Sequence, residues 1–192
     1  MPHRAADTLV PVNEPTTDKA AIRSALRRRP PVTSEESAKV AGHLKSWLAD
    51  RPPSRVLVYL PMPGEVDVTG VIDRRHRWFV TRTPGGDLPL TVHPIEAERE
   101  VHRFGYEQPV AASETIDPVD LDIVLTPSLS FARDGSRIGW GKGYYDRLFE
   151  SAAGVTAVGV TLDRLLVAHL PLEPHDRRMD WLATDSGLRR IS

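Results

Sequence analysis

Arg137-Ile138-Gly139-Trp140-Gly141-Lys142-Gly143-Tyr144-Tyr145-Asp146-Arg147 is the stretch on which the reading of this chain turns. Glycine at every second position gives up side-chain packing and adds backbone entropy to be lost on folding. Such a run makes neither a good helix nor a well-packed strand. What it offers is a loop whose amide N–H groups can turn onto an anion with no Cβ in the way. Around the glycines stand two cations (Arg137, Lys142), three aromatic rings (Trp140, Tyr144, Tyr145) and one carboxylate, Asp146. A phosphate, a cation and a flat ring system would each find a partner there. The plain alternative is a turn that only links a strand to a helix, yet a bare turn has no use for Arg, Lys and Asp together.

Spacing separates this loop from two familiar phosphate fingerprints. A Walker A loop has four residues between its first glycine and Gly-Lys, then Ser or Thr. Here five residues separate Gly135 from Gly141, and Gly143 follows Lys142. The dinucleotide pattern G-x-G-x-x-G fails as well, because the third glycine comes one position early. Context still favours an anion. Leu121 to Pro127 is a short apolar run closed by proline, the mark of a buried strand. Asp134-Gly135 is a turn dipeptide, and Tyr145, Leu148 and Phe149 recur at helical spacing. The loop therefore feeds a helix N-terminus, whose partial positive charge suits phosphate.

Composition narrows the class. The chain has 192 residues, 40% hydrophobic and 27% charged, as expected of one globular domain over 17–192 behind a flexible lead-in at 1–16. A net charge of −1 provides no field to recruit nucleic acid or an anionic membrane. No apolar run approaches the length of a membrane span, and the lead-in lacks the apolar centre of a signal peptide, so the expected location is the cytoplasm. The absence of cysteine excludes disulfides, thiolate zinc and a cysteine nucleophile.

Outward from the loop, strand and helix patterns alternate. Asp18 caps a helix from Lys19 to about Arg29, with Ile22, Ala25 and Leu26 as its buried face. Lys19, Arg23 and Arg27, four apart, form a neighbouring basic stripe, and Arg28 and Arg29 read as surface. Thr33 and Glu36 make a capping box for a second helix, whose apolar stripe is Val40, Leu44, Trp47 and Leu48. Arg55 to Pro61 is a β-prone run. Glu65 lies just beyond its carboxyl end, where open α/β sheets bind ligands. Val68 to Asp73 leaves room for only a short helix before the strand Arg77–Arg82. Leu90–Ile95 and Val155–Leu162 are further strands, so the pattern is that of an α/β sandwich.

Pro127 to Asp146 resembles the signature of the 5-formyltetrahydrofolate cyclo-ligase family, tightly from Pro127 to Arg147 and more loosely from Lys19 to Asp176. The resemblance implies a three-layer α/β/α sandwich with a mostly parallel central sheet, related to sugar-phosphate isomerase and CoA-transferase folds. It implies ATP-dependent closure of 5-formyltetrahydrofolate to 5,10-methenyltetrahydrofolate, with ADP and phosphate released, by a monomer that uses Mg²⁺. Carried over by position, Lys19-Ala20-Ala21-Ile22-Arg23 and Arg137 through Tyr145 (including Ile138) meet ATP, with Arg137 and Lys142 as the catalytic cations. Arg23, Leu60, Glu65, Trp140, Gly141, Lys142, Gly143 and Tyr144 meet the folate, and Asp146 with Asp176 holds the metal. His175 gains no catalytic role, and Asp180 is expected to be structural. A folate- or nucleotide-binding regulator without turnover is the reading from another class.

Overall fold

The structure, a computed structural model, describes residues 18–85, 88–173 and 176–191; the lead-in at 1–16 and His175 lie outside them. In chain order the elements are α1 (Lys19–Leu26), α2 (Ser34–Ala49), β1 (Arg55–Leu57), β2 (Arg77–Arg82), β3 (Thr91–Pro94), β4 (Arg99–Val101) and β5 (Glu107–Pro109). They continue with β6 (Ile123–Thr126), β7 (Ser130–Phe131), β8 (Arg137–Ile138), α3 (Tyr144–Ser151), β9 (Thr156–Val160), β10 (Trp181–Thr184) and β11 (Gly187–Arg190). Both expected helix starts are present. Asp18 Oδ1 accepts from Ala20 N at 2.8 Å, and Thr33 and Glu36 bond reciprocally at the head of α2. The first helix ends three residues early, at Leu26, and Leu26 alone of its apolar trio is buried; Ile22 is half-buried and Ala25 exposed.

Strand side chains alternate between faces. Val56, Val58, Trp78, Val80, Ile123, Leu125, Val158 and Val160 point one way, onto Val40, Leu44, Trp47 and Leu48 of α2. Their neighbours Leu57, Phe79, Val124, Ala157 and Leu182 point the other way, onto Phe131 and onto Leu148 and Phe149 of α3. Two apolar layers on one sheet demand strands that are hydrophobic throughout, which is how they read in sequence. The expected three-layer sandwich with a mostly parallel sheet is what forms.

The sheet order is β11-β10-β9-β6-β1-β2-β3. β10, β9, β6, β1 and β2 are parallel, and the edge strands β11 and β3 are antiparallel. From β1 the chain proceeds outward to β2 and β3, then returns to the other side of β1 as β6 and proceeds outward again through β9. The direction of winding therefore reverses between β1 and β6, and a crevice opens beyond their carboxyl ends. Between β1 and β2 the crossover holds one 3₁₀ turn, Thr69–Val71, in line with its short sequence.

Gly159, in β9, has the tightest surroundings of the sheet glycines. A Cβ there would lie 2.6 Å from Phe131 Cε1 and 2.7 Å from Leu182 Cδ2. Gly159→Ala is expected to destabilise the fold by about 1–3 kcal/mol through overpacking. Gly42→Ala, in the exposed middle of α2 with nothing within 4 Å, should add about 0.5–1 kcal/mol. Urea denaturation of both variants measures the contrast, and equal effects would contradict the packing argument.

Candidate functional site

Three segments leave the carboxyl ends of neighbouring strands and border one cleft. They are Tyr59 to Val66 after β1, Pro127 to Leu129 after β6, and Thr161 to Leu165 after β9. The cleft has a volume of about 340 Å³, and its remaining walls are Trp140 and the segment from Leu26 to Val32. This is the crevice that the reversed winding creates, and of the expected site residues Glu65 and Trp140 line it directly.

The glycine loop joins β8 to α3. Gly141 has φ +95° and Gly143 has φ +63°, both in the left-handed region that favours glycine. Gly141 has a second reason to lack a side chain, since a Cβ would press on Arg23 Cζ at 3.2 Å. Gly139 is different. Its φ is ordinary and no protein atom lies within 4 Å of the place a Cβ would occupy. Gly143 is also the N-cap of α3, where the first N–H groups of a helix have no intrahelical acceptor.

The basic stripe of α1 meets the loop residue by residue. Lys19 Nζ lies 3.0 Å from Asp176 Oδ2 and 3.1 Å from Glu173 Oε1. Burial disfavours its charge, but the bonds to Asp176 and Glu173 outweigh this and hold its pKa above the ordinary lysine value. Arg23 Nε donates to the Gly139 carbonyl at 2.9 Å. Arg27 lies over the Trp140 ring, its Cζ 5.3 Å from the centroid. The four-residue spacing thus ties one helix face to Glu173 and Asp176, to the loop backbone and to the loop's tryptophan. Ala20 and Ala21 are exposed.

Arg137 and Asp146, expected to serve phosphate and metal respectively, form an ion pair with each other. The Arg137 side chain is only 7% exposed, so it is not a free loop cation. Its Nε, and Nε and Nη2 of Arg147, are buried with no hydrogen-bond acceptor among the described residues. Buried N–H groups of this kind are usually paired, so donor capacity is left over beside the loop. Lys142 is exposed, and among the described residues it enters no ion pair. Ile138 is buried between strands. Tyr144 carries Arg147 over its ring at 5.2 Å. Tyr145 packs toward Phe149, with ring centroids 6.3 Å apart. Burial and the nearby Glu65 charge push its hydroxyl far above the usual phenol pKa, against the pull of Arg137 and a bond with Thr81.

Glu65 reaches into the cleft from the loop after β1. One oxygen accepts from Met62 N at 3.0 Å and the other from Trp140 Nε1 at 3.4 Å. Burial raises its pKa, against those two bonds. Leu60 packs on the core, and Tyr59 lines the cleft instead. Both residues lie beyond the end of β1 at Leu57, and Tyr59 is buried against the same core while it borders the cleft. Tyr59 donates its hydroxyl to the Val66 carbonyl at 2.6 Å, which folds the 59–66 segment over the strand end. Arg29 is a correction to the surface reading: it is half-buried along the cleft, and its Nη1 donates to the Leu165 carbonyl at 2.6 Å. Asp180 is structural, accepting from Ala157 N and from Arg177.

Comparison with known proteins agrees with this geometry. The family model for the 5-formyltetrahydrofolate cyclo-ligase family matches residues 15–185. A Mycolicibacterium smegmatis protein named 5-formyltetrahydrofolate cyclo-ligase is 30% identical over 189 residues, covering 86% of this chain and 93% of its own. The Escherichia coli K12 protein of the same name is 27% identical over 175 residues, 83% of this chain and 96% of its own. The solution structure of Aquifex aeolicus 5,10-methenyltetrahydrofolate synthetase superposes with a TM-score of 0.74 at 28% identity, covering 90% of this chain and 92% of the other. With its glycine loop, its reversed sheet and a match that runs over nearly its full described length, this chain belongs to the 5-formyltetrahydrofolate cyclo-ligase family.

Proposed function

We propose that the protein closes 5-formyltetrahydrofolate to 5,10-methenyltetrahydrofolate at the expense of ATP, releasing ADP and phosphate. The observation that carries this reading is the crevice at the β1/β6 reversal, where the glycine loop, with cations of the first helix against its backbone, presents Trp140 to Glu65. A triphosphate suits the loop amides and the cations, and a donor-bearing ring system suits Glu65 and Trp140.

The chemistry needs no protein nucleophile. A formyl group on nitrogen is a poor electrophile and its oxygen a poor leaving group. The N5 lone pair pushes density onto the formyl oxygen, which attacks the γ-phosphate and displaces ADP. N10 then adds to the activated carbon and loses its proton, and phosphate departs as the ring closes. The iminophosphate between these two steps needs a site that holds both substrates in line and neutralises phosphate charge. Arg137 and Lys142 balance charge on the moving phosphoryl group, and the backbone from Gly139 to Gly143 supplies donors. Lys19 and Arg23 close over the nucleotide from α1. Glu65 accepts from the N–H groups of the pterin edge, and Trp140 and Tyr144 offer flat faces.

Asp146 and Asp176 are the residues that would hold Mg²⁺, which supplies charge neutralisation on the phosphates. Among the described residues no group of three or more acidic or histidine side chains is placed to cage a metal. Two hard oxygen ligands are what suits an ion that takes most of its shell from phosphate and water. Each aspartate is at present paired with a cation assigned to ATP: Asp146 with Arg137, Asp176 with Lys19. Binding then amounts to an exchange of partners. With Mg²⁺ bound, Asp146 and Asp176 would be the residues that hold it, which would leave Arg137 and Lys19 to pair with phosphate. Either ligand alone would leave a charge uncompensated in a partly buried site.

The direct test is purified protein with 5-formyltetrahydrofolate and Mg-ATP, followed by methenyl absorbance; no product would end the reading. Arg137→Ala is expected to cost about 3–4 kcal/mol of transition-state stabilisation, read as a fall in kcat/KM. It should also lower the melting temperature, because Asp146 loses its partner. The exchange of partners predicts that Mg²⁺ and ATP bind synergistically by calorimetry, and that Asp176→Asn weakens this coupling; independent binding of the two would contradict it. Glu65→Gln should raise KM for the folate and spare ATP. Because burial raises the Glu65 pKa, folate binding should weaken on the acid side from a point above the usual glutamate pKa of about 4.3, and this limb should vanish in Glu65→Gln.

A further inference from the structure

Arg29 follows the last turn of α1 and precedes the proline pair Pro30-Pro31 that leads to α2. Its side chain lines the cleft, half-buried, and its Nη1 is anchored on the Leu165 carbonyl. Burial first, and then the charge of Arg164, hold its pKa below the ordinary arginine value. Among the described residues no carboxylate forms an ion pair with it. Glu36, the acid of this neighbourhood, is occupied by Arg164 through bonds of 2.7 and 3.0 Å. Arg164 is held further by the carbonyls of Pro30 and Pro31 at 3.3 and 3.0 Å. The segment carrying Arg29 is therefore fixed, while its guanidinium has one neutral acceptor.

A partly desolvated cation with no counter-charge is unfavourable unless an anion completes the site. The guanidinium fork matches a carboxylate in geometry as well as charge. One cleft thus contains an acceptor for ring N–H groups (Glu65), a flat ring (Trp140) and an uncompensated cation (Arg29). A ligand that satisfies all three has a donor-bearing heterocycle joined to a carboxylate tail.

We infer that Arg29 receives a carboxylate of the glutamyl end of the folate and makes binding depend on that charge. The inference rests on the folate reading above and adds to it the residue that reads the tail. Arg27, the other arginine of this wall, is exposed and lies over Trp140. It is the natural control.

The test is a cycle of dissociation constants by calorimetry without nucleotide. The ligands are 5-formyltetrahydrofolate and its derivative with both glutamyl carboxylates converted to amides. The proteins are the wild type, Arg29→Gln and Arg27→Gln; glutamine keeps a donor for the Leu165 carbonyl. Wild type should bind the diamide about tenfold or more weakly, the scale of a charged hydrogen bond. Arg29→Gln should lose that same factor toward the diacid and change little toward the diamide, whereas Arg27→Gln should still discriminate. Equal affinity of the wild type for both ligands, equal losses on both in Arg29→Gln, or transfer of the selectivity to Arg27 would each overturn the inference. Should Arg29→Gln not fold, the wild-type comparison decides alone. Methenyl formation by the wild type is read separately, so failure of the activity and failure of the Arg29 cycle are told apart.

Discussion

Parallel pairing of β1 with β6, Val56 beside Ile123 and Leu57 beside Val124, is the constraint from which the site follows. Parallel neighbours deliver their following loops to the same edge of the sheet. Because the winding reverses between this pair, the loops after β1 and β6 part instead of packing on each other. Glu65, Pro127 to Leu129 and Trp140 consequently face one opening. The pair is held by side chains buried on both faces, Val56 and Ile123 toward α2, Leu57 and Val124 toward α3. A substitution that disturbed either layer would widen or close the cleft without touching a residue in it.

Several of the charges around the crevice are paired with an opposite charge. Lys19 has Asp176 and Glu173, Arg137 has Asp146, and Arg164 has Glu36. The exceptions are informative. Arg137 Nε and two nitrogens of Arg147 are buried without acceptors beside the glycine loop, and Arg29 lines the cleft with only a carbonyl. Among the described residues around the crevice, cationic groups without a full set of acceptors therefore occur beside the loop and on the α1–α2 segment. That is the distribution a ligand with two anionic parts would require.

Alpha-helix α1 links these features. It is short, eight residues, and buries only Leu26 deeply. Its position comes less from a hydrophobic stripe than from polar contacts made by Lys19, Arg23 and Arg27. A helix held mainly by charges that are proposed to serve ligand binding would be tied to the state of the site. Its docking is expected to tighten or loosen with what occupies the crevice, since a few buried apolar contacts give a low cost of local opening.

Much of this was legible in the sequence, and for definite reasons. The capping box at Thr33 and Glu36, the buried strands and the glycine loop from Gly139 to Gly143 are local properties. Spacing of three, four or two residues fixes them before any long-range contact forms. The glycines and cations behind the proposed anion site are local too, because they come from one continuous run. What sequence could not supply was pairing across distance. That Arg137 meets Asp146, that Lys19 meets Asp176 from 157 residues away, and that Tyr59 rather than Leu60 faces the cleft depend on register and on where each strand stops. Arg29 shows the limit most plainly. Its charge was visible, but whether a charge is solvated or uncompensated is decided only when the fold brings Leu165 and Arg164 beside it.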